Sequence, residues 1–220
     1  MLNNLLSLFL KPNCPLCQRS AEELFCEYCY EKLTSCELNF DQQQKFISAN
    51  FLLLSWAKYD REVKRALATL KYKQQEDIGE ALGIWLGEAW LKHKNKQKYP
   101  HLIVTPIPCH QEKLKTRGYN QAELIARGFS QVTGYPVKSN LLTRQKKTEA
   151  MYGLKIKERK ENIRQAFKLG KDYASIPKSR SILIIDDIYT TGTTVEEAIH
   201  ILQQGQLKTI GVATVCRVKV

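Results

Sequence analysis

The sequence lacks the marks of several common classes. No apolar run reaches the roughly 18 residues that a membrane-spanning helix needs, and no span is expected. No GxxxxGK(S/T) segment occurs, so a P-loop ATPase would miss half of its machinery. Internal repeats and low-complexity tracts are absent. Acidic residues are scarce: 22 Asp and Glu stand against 34 Lys and Arg, a formal net charge of +12. Such a field favours polyanionic partners, either nucleic acid or a phosphorylated small molecule. The stretch Met1 to Leu10 is apolar but has no basic flank, and it ends at Lys11-Pro12 without a small-residue cleavage site. A signal peptide is therefore not expected; the stretch reads as a short helix packed on the body, with membrane contact as the alternative. Seven cysteines without an export signal disfavour a disulfide framework and fit a reducing cytoplasm.

What is present begins with those cysteines. Cys14-x-x-Cys17 and Cys26-x-x-Cys29, eight residues apart, form two knuckles able to converge on one tetrahedral ion. The surrounding residues are too few and too polar to build a core alone, so a metal staple is physically needed. Zinc is the expected ion, with an iron–sulfur centre as the rarer alternative. Four thiolates close the coordination sphere, which makes the site structural. Cys36 reads as a spare buried thiol or an alternative ligand, and Cys109 and Cys216 as core residues.

Residues 1–40 form this zinc-binding module and the polar segment that follows, 41–56, reads as a linker. From 57 to 220 the pattern is regular. Asp60 caps a helix to about Tyr72, and a second helix runs from Asp77 to Leu91 with Trp85 and Trp90 on its apolar face. Leu102 to Thr105 and Ser181 to Asp186 are short buried strands. Helices are expected over Asn120 to Thr133 and Thr194 to Gln204, and a third strand over Thr209 to Cys216. Strands alternating with helices imply an α/β domain, a parallel sheet flanked by helices on both faces. Ligands bind such sheets at the carboxyl ends of strands. That places Thr105 to Tyr119 and Asp187 to Thr193 on one rim.

The strongest signal is ILIIDDIYTTGTT, residues 182–194. A buried strand ends in Asp186 and Asp187, a loop of Thr and Gly follows, and a helix begins, with Thr193 and Glu196 spaced as a capping box. A helix amino terminus offers unpaired N–H groups to a phosphate. Gly192 permits close backbone approach. Adjacent carboxylates can accept bonds from two vicinal hydroxyls or sit near a metal. Together these features match a ribose 5-phosphate.

DDIYTTGTT resembles the signature by which type I phosphoribosyltransferases bind phosphoribosyl pyrophosphate (PRPP). IVTPIPCHQEKLKTRGYNQ, residues 103–121, resembles the ComF family pattern of a Pro-x-Pro turn followed by RG(F/Y)NQ, and RKENIRQAF, residues 159–167, resembles its R-x-x-N segment before Ala-Phe. The cysteine module belongs to the same pattern. The chain departs from it at Met151, where Gln is usual, and at Gln111 and Glu112, where basic residues are usual. The resemblance implies a type I phosphoribosyltransferase fold with a small N-terminal four-cysteine zinc module. It implies that Asp186 and Asp187 hold the ribose hydroxyls, that Thr190, Thr191, Gly192, Thr193 and Thr194 hold the 5-phosphate, and that the turn from Thr105 to Cys109 is the pyrophosphate loop. Arg117 becomes a pyrophosphate or substrate contact, and magnesium comes with PRPP.

Between Arg144 and Lys171 ten basic residues face three acidic ones, with Tyr152 and Phe167 interleaved. Cations and aromatics in alternation suit single-stranded nucleic acid; a solvated loop that attracts PRPP is the equal alternative. The ComF resemblance implies a role in natural transformation, the handling of incoming single-stranded DNA. Two alternatives stand beside it: a phosphoribosyltransferase enzyme acting on a nucleobase or other small acceptor, and an adaptor whose zinc module docks a competence helicase or DNA-processing protein. No general base and no base-recognition motif stand out, so the acceptor is not defined by sequence.

Overall fold

Apolar runs alternating with amphipathic segments build a five-stranded sheet covered on both faces in the computed structural model, which describes residues 12–48, 51–145 and 166–218. The apolar stretch at Met1 to Leu10, Met151, Tyr152 and most of the basic stretch lie outside the described residues. The cysteine module carries α1 (Glu27–Thr34). Then come α2 (Phe40–Gln43), β1 (Gln44–Ser48), β2 (Phe51–Lys58), α3 (Arg61–Tyr72), α4 (Asp77–Lys92), α5 (Asn95–Lys98) and β3 (Leu102–Pro106). The second half holds α6 (Gln111–Arg117), α7 (Gln121–Thr133), β4 (Leu142–Arg144), β5 (Phe167–Leu169), β6 (Ser181–Tyr189), α8 (Thr193–Gln204) and β7 (Lys208–Arg217).

The sheet order is β1-β2-β7-β6-β3. The four strands from β2 to β3 are parallel, as expected for buried Val, Ile and Leu runs. β1 is an antiparallel edge, so the sheet is mixed. Alternation along β6 divides the core. Leu183 and Ile185 pack with α3, α4 and α7, whereas Ile182 and Ile184 pack with Val195, Ala198 and Leu202 of α8. The helices after β3 and β6 thus lie on opposite faces, and a crevice opens between the carboxyl ends of those strands, the topological switch point.

Helix boundaries follow their caps. Asp60 accepts from the Arg61 N–H, Asn120 accepts from the Ala122 N–H, and Gly134 closes α7 in the left-handed region. On α4, Ile78, Leu82, Leu86 and Trp90 are fully buried, each contributing about 1.5–3 kcal/mol. Trp90 packs edge-on to Phe129 and Tyr135. Trp85 instead faces the cysteine module, with ring centroids 5.8 Å from Phe25 and 4.8 Å from Trp56.

Three expectations are corrected. The span 41–56 is not a linker: β1 and most of β2 fall inside it. Phe51 to Ala57 is apolar apart from Ser55, and pairing with β7 accompanies burial of both faces from Leu52 to Ala57. β6 continues past Asp186 to Tyr189 because β7 extends equally far, pairing Ile188 with Cys216 and Tyr189 with Arg217. The capping box is displaced: Gly192 is the N-cap of α8 at φ +82°, and Glu196 donates its N–H to the Gly192 carbonyl, so Thr193 is the first helical residue.

α4 and α7 touch through glycines. A Cβ at Gly83 would lie 2.2 Å from the Ile125 carbonyl oxygen, and one at Gly128 would lie 2.1 Å from that of Glu80. Gly83→Ala is expected to lower stability by about 1–3 kcal/mol through overpacking, read from the midpoint of urea unfolding. An unchanged midpoint would contradict this helix contact.

Candidate functional site

β3 ends opposite Ile185, so Asp186 and Asp187 have a strand neighbour on one side only, β7. On the other side they face a cavity of about 260 Å³. Lys71, Tyr72, Cys109, Lys113, Arg117, Arg144, Thr190 and Thr194 are among the residues that line it. Strand alternation turns Asp187 toward α3, where its carboxylate forms an ion pair with Lys71. The Asp186 carboxylate accepts the Asp187 N–H at 2.8 Å.

Both carboxylates are buried, Asp186 at 9% and Asp187 at 6% exposure. Burial and the neighbouring Asp187 charge push Asp186 well above the carboxylate range. Burial also pushes Asp187 upward, but Lys71 more than offsets that and holds it below its ordinary value. Lys71 is raised in turn: desolvation opposes its charge, and Asp187 outweighs the desolvation. Burial thus opposes ionisation of Asp186, whereas the Lys71 ammonium favours the carboxylate form of Asp187. Burial raises the Cys109 thiol, while Arg117, Arg144 and Lys113 act against the shift.

The loop after β6 turns on Gly192, where a Cβ would lie 2.4 Å from the Tyr189 hydroxyl. The Thr191 and Thr193 hydroxyls sit 2.9 Å apart. Of the loop residues, Thr190 and Thr194 line the cavity; Gly192 lines a separate hollow beside Tyr189 and Phe51. Thr105 is fully buried, and its hydroxyl donates to the Lys138 carbonyl at 3.1 Å. Its side chain is committed there, while Ile107, Pro108 and Cys109 of the same turn reach the cavity. Arg117 does line it, and its Nε–H also donates to the Lys71 carbonyl at 2.9 Å.

Sequence reasoning missed Lys71, Tyr72 and Lys113. Lys71 closes the amphipathic run of α3, and nothing in its local pattern separates it from other lysines. Within the basic stretch, Arg144 reaches the cavity. Phe167 is only 3% exposed and packs in the core, so it is not a free stacking platform. Lys168 and Lys171 are exposed.

Cys14, Cys17, Cys26 and Cys29 bring their sulfurs within 4.8 Å of one another, with Cys17 and Cys26 at 3.5 Å. Tetrahedral thiolates around zinc stand about 3.8 Å apart, so the cluster can hold a metal ion. Burial raises Cys14, but backbone hydrogen bonds from Cys26, Leu16 and Cys17 outweigh this and bring it down to about 7. Arg65 points to Cys29 at 3.5 Å. Cys36 lies apart, its thiol directed at the Lys32 carbonyl. A larger hollow of about 930 Å³ lies between this module and α4, but its carboxylates, Glu22, Glu23 and Glu27, are exposed. The converging charges are at the end of β6, and they rather than volume mark the site.

Asp186 supplies a test. The folded chain keeps its proton to higher pH than the unfolded chain does. Its stabilising contribution is complete below the ordinary carboxylate range and is lost as pH rises through the folded value. Asp187 behaves oppositely, losing its contribution as pH falls. Asparagine mimics protonated Asp186 at every pH. Asp186→Asn is therefore expected to melt above the parent chain at pH 8, with the gap closing toward pH 4; a variant that melts lower at pH 8 would contradict this charge assignment.

The family described as "Phosphoribosyl transferase domain" matches residues 116–220. Competence protein F of Haemophilus influenzae is 29% identical over 158 residues, 68% of each chain. The DNA utilization protein YhgH of Escherichia coli O6:H1 is 26% identical over 209 residues, 93% of this chain and 89% of the relative. Competence protein ComFC of Bacillus subtilis is 26% identical over 165 residues, 72% of this chain and 61% of the relative. Among solved structures, an adenine phosphoribosyltransferase from Leishmania donovani aligns at 14% identity with a TM-score of 0.40, over 79% of this chain and 74% of that one. That superposition is too loose to bear weight. The chain is thus similar over most of its length to proteins named for competence and DNA utilization, and the phosphoribosyl transferase domain match spans β6, its carboxylate pair and the glycine turn.

Proposed function

We propose that the chain binds PRPP with magnesium at the carboxyl end of β6 and acts in the handling of incoming single-stranded DNA. The observation that carries the ligand reading is the single cavity shared by Asp186, Asp187, Thr190, Thr194 and four cations. The two carboxylates accept the vicinal ribose hydroxyls. Thr190, Thr191, Gly192, Thr193 and Thr194 take the 5-phosphate, with the amino terminus of α8 behind them. Pyrophosphate lies toward Lys113, Arg117 and Arg144, beside the backbone of the turn from Thr105 to Cys109. Magnesium arrives on the ligand's own oxygens and waters, as suits a small ion that dehydrates reluctantly.

The bond at stake joins C1 of the ribose to pyrophosphate. Its rupture builds positive charge on the sugar and negative charge on the leaving group. Fixed cations at the pyrophosphate end stabilise that leaving charge, and the diol contacts hold C1 in place. Arg117 and the two aspartates are thus the catalytic candidates if a nucleobase or other small acceptor is transferred to. Zinc in the Cys14, Cys17, Cys26 and Cys29 cluster closes the amino-terminal module, and Trp85 couples that module to the sheet. A docked helicase or DNA-processing protein is the partner that this module suits.

DNA handling draws support from the relatives' names and from two exposed aromatic rings outside the basic stretch. Tyr28 is 50% exposed, with the Arg19 guanidinium 5.0 Å from its ring centroid. Phe46 is 51% exposed, with Lys98 Nζ at 5.2 Å. Aromatic faces flanked by cations suit base stacking beside a phosphate backbone.

Calorimetry with PRPP and magnesium is expected to register saturable binding in the parent chain and none in Asp186→Ala/Asp187→Ala. Equal binding by both would remove the site from the carboxyl end of β6. For DNA, Tyr28→Ala is expected to weaken binding of a single-stranded oligonucleotide by about 1–3 kcal/mol, measured by fluorescence anisotropy. Unchanged affinity in that variant would exclude the stacking role.

A further inference from the structure

The carbonyls at a helix carboxyl terminus have no partners within the helix. At the end of α3 two of them are satisfied by the RGYNQ block. The Tyr119 hydroxyl donates to the Leu70 carbonyl, and Arg117 Nε–H donates to that of Lys71. Gln121 accepts from Arg117. Asn120 donates to the Ile107 carbonyl at 3.0 Å while capping α7. Gly118, at φ +90°, ends α6 and allows the turn. The block is therefore a clasp that fixes the end of α3 against the turn after β3, and the residue held at its centre is Lys71.

A counter-ion for Asp187 alone does not account for this arrangement. Lys71, Lys113, Arg117 and Arg144 converge on one cavity that holds two carboxylates, Asp186 and Asp187. Among the described residues that line it, four cations face two carboxylates, and Lys113 is lowered by burial and by its neighbours Arg144, Arg117 and Lys71. Such a surplus is relieved by a polyanion. Lys71 also sits where an exchange of partners is possible, because vicinal hydroxyls and an ammonium compete for the same Asp187 oxygens.

The geometry points to Lys71 as a pyrophosphate-binding residue: the ribose diol displaces it from Asp187, and its ammonium then pairs with pyrophosphate oxygens of the same ligand. This deepens the PRPP reading and rests on it. Lys71 would contact the ligand directly, whereas Tyr119 is a positioning residue acting through the end of α3.

The test is calorimetry in magnesium with three probes: PRPP, inorganic pyrophosphate and ribose 5-phosphate. Lys71→Met is expected to weaken PRPP roughly tenfold or more, while ribose 5-phosphate, which has no pyrophosphate, and inorganic pyrophosphate, which has no diol to free the ammonium from Asp187, lose far less. Lys71→Arg should recover much of the loss. Asp187→Asn should act with the opposite sign on pyrophosphate, tightening it by releasing Lys71, while weakening ribose 5-phosphate. If Lys71→Met melts below the assay temperature, Lys71→Met/Asp187→Asn removes both charges and is expected to lack the tightening of pyrophosphate that Asp187→Asn shows; a double variant that keeps that tightening would overturn the assignment. Equal weakening of all three probes in Lys71→Met, unchanged PRPP binding, or loss of pyrophosphate binding in Asp187→Asn would overturn the assignment. No binding of PRPP by the parent chain would instead overturn the ligand reading on which it rests.

Discussion

Asp186 and Asp187 leave water together at the end of the central strand, and Lys71 is the counter-charge that makes this possible. Burying one unpaired carboxylate is costly, and burying two side by side is worse unless a proton or a cation intervenes. Here both devices operate: burial and the Asp187 charge favour the protonated form of Asp186, and Asp187 pairs with the Lys71 ammonium. Several other features serve this arrangement. β3 stops one residue short of Asp186, which opens the space. α3 ends where its penultimate residue meets Asp187. The RGYNQ block ties down the helix end that carries Lys71.

The same interaction links fold to chemistry. A buried pair of carboxylates is a poor choice for stability and a useful one for holding a diol, since both groups are already desolvated and oriented. The cations around them are the complementary half. Their mutual repulsion is of the kind that a phosphorylated ligand would relieve. The amino-terminal module is joined to this centre through the core rather than by a tether. The Cys36 carbonyl accepts from the Lys58 N–H and the Leu38 N–H donates to the Trp56 carbonyl, both in β2, and Trp85 packs at a tilt against Trp56 of that strand. A change at the four-cysteine cluster therefore has a packed route toward the sheet.

What could be read in the sequence was what lies close together along the chain. The carboxylates, the glycine turn and α8 are contiguous, as are the two cysteine knuckles, and the structure brings each group together. Lys71 was not legible, because its role depends on a contact with β6, more than a hundred residues away in sequence. Thr105 was assigned to the pyrophosphate turn from its position. Its hydroxyl instead donates to the Lys138 carbonyl, and Ile107 to Cys109 are the part of that turn that reaches the cavity. Phe167 looked like a stacking residue among cations, yet it pairs in β5 and packs into the core. The 41–56 segment looked like a linker because β1 is a polar edge strand whose pairing the local composition does not reveal.

A crystal structure of the chain with magnesium and PRPP tests the central claim most directly. The account predicts ribose hydroxyls on the Asp186 and Asp187 carboxylates, the 5-phosphate in the turn around Gly192, and Lys71 Nζ on pyrophosphate oxygens. Ligand density away from the end of β6, or Lys71 still paired with Asp187 beneath a bound ligand, would contradict it.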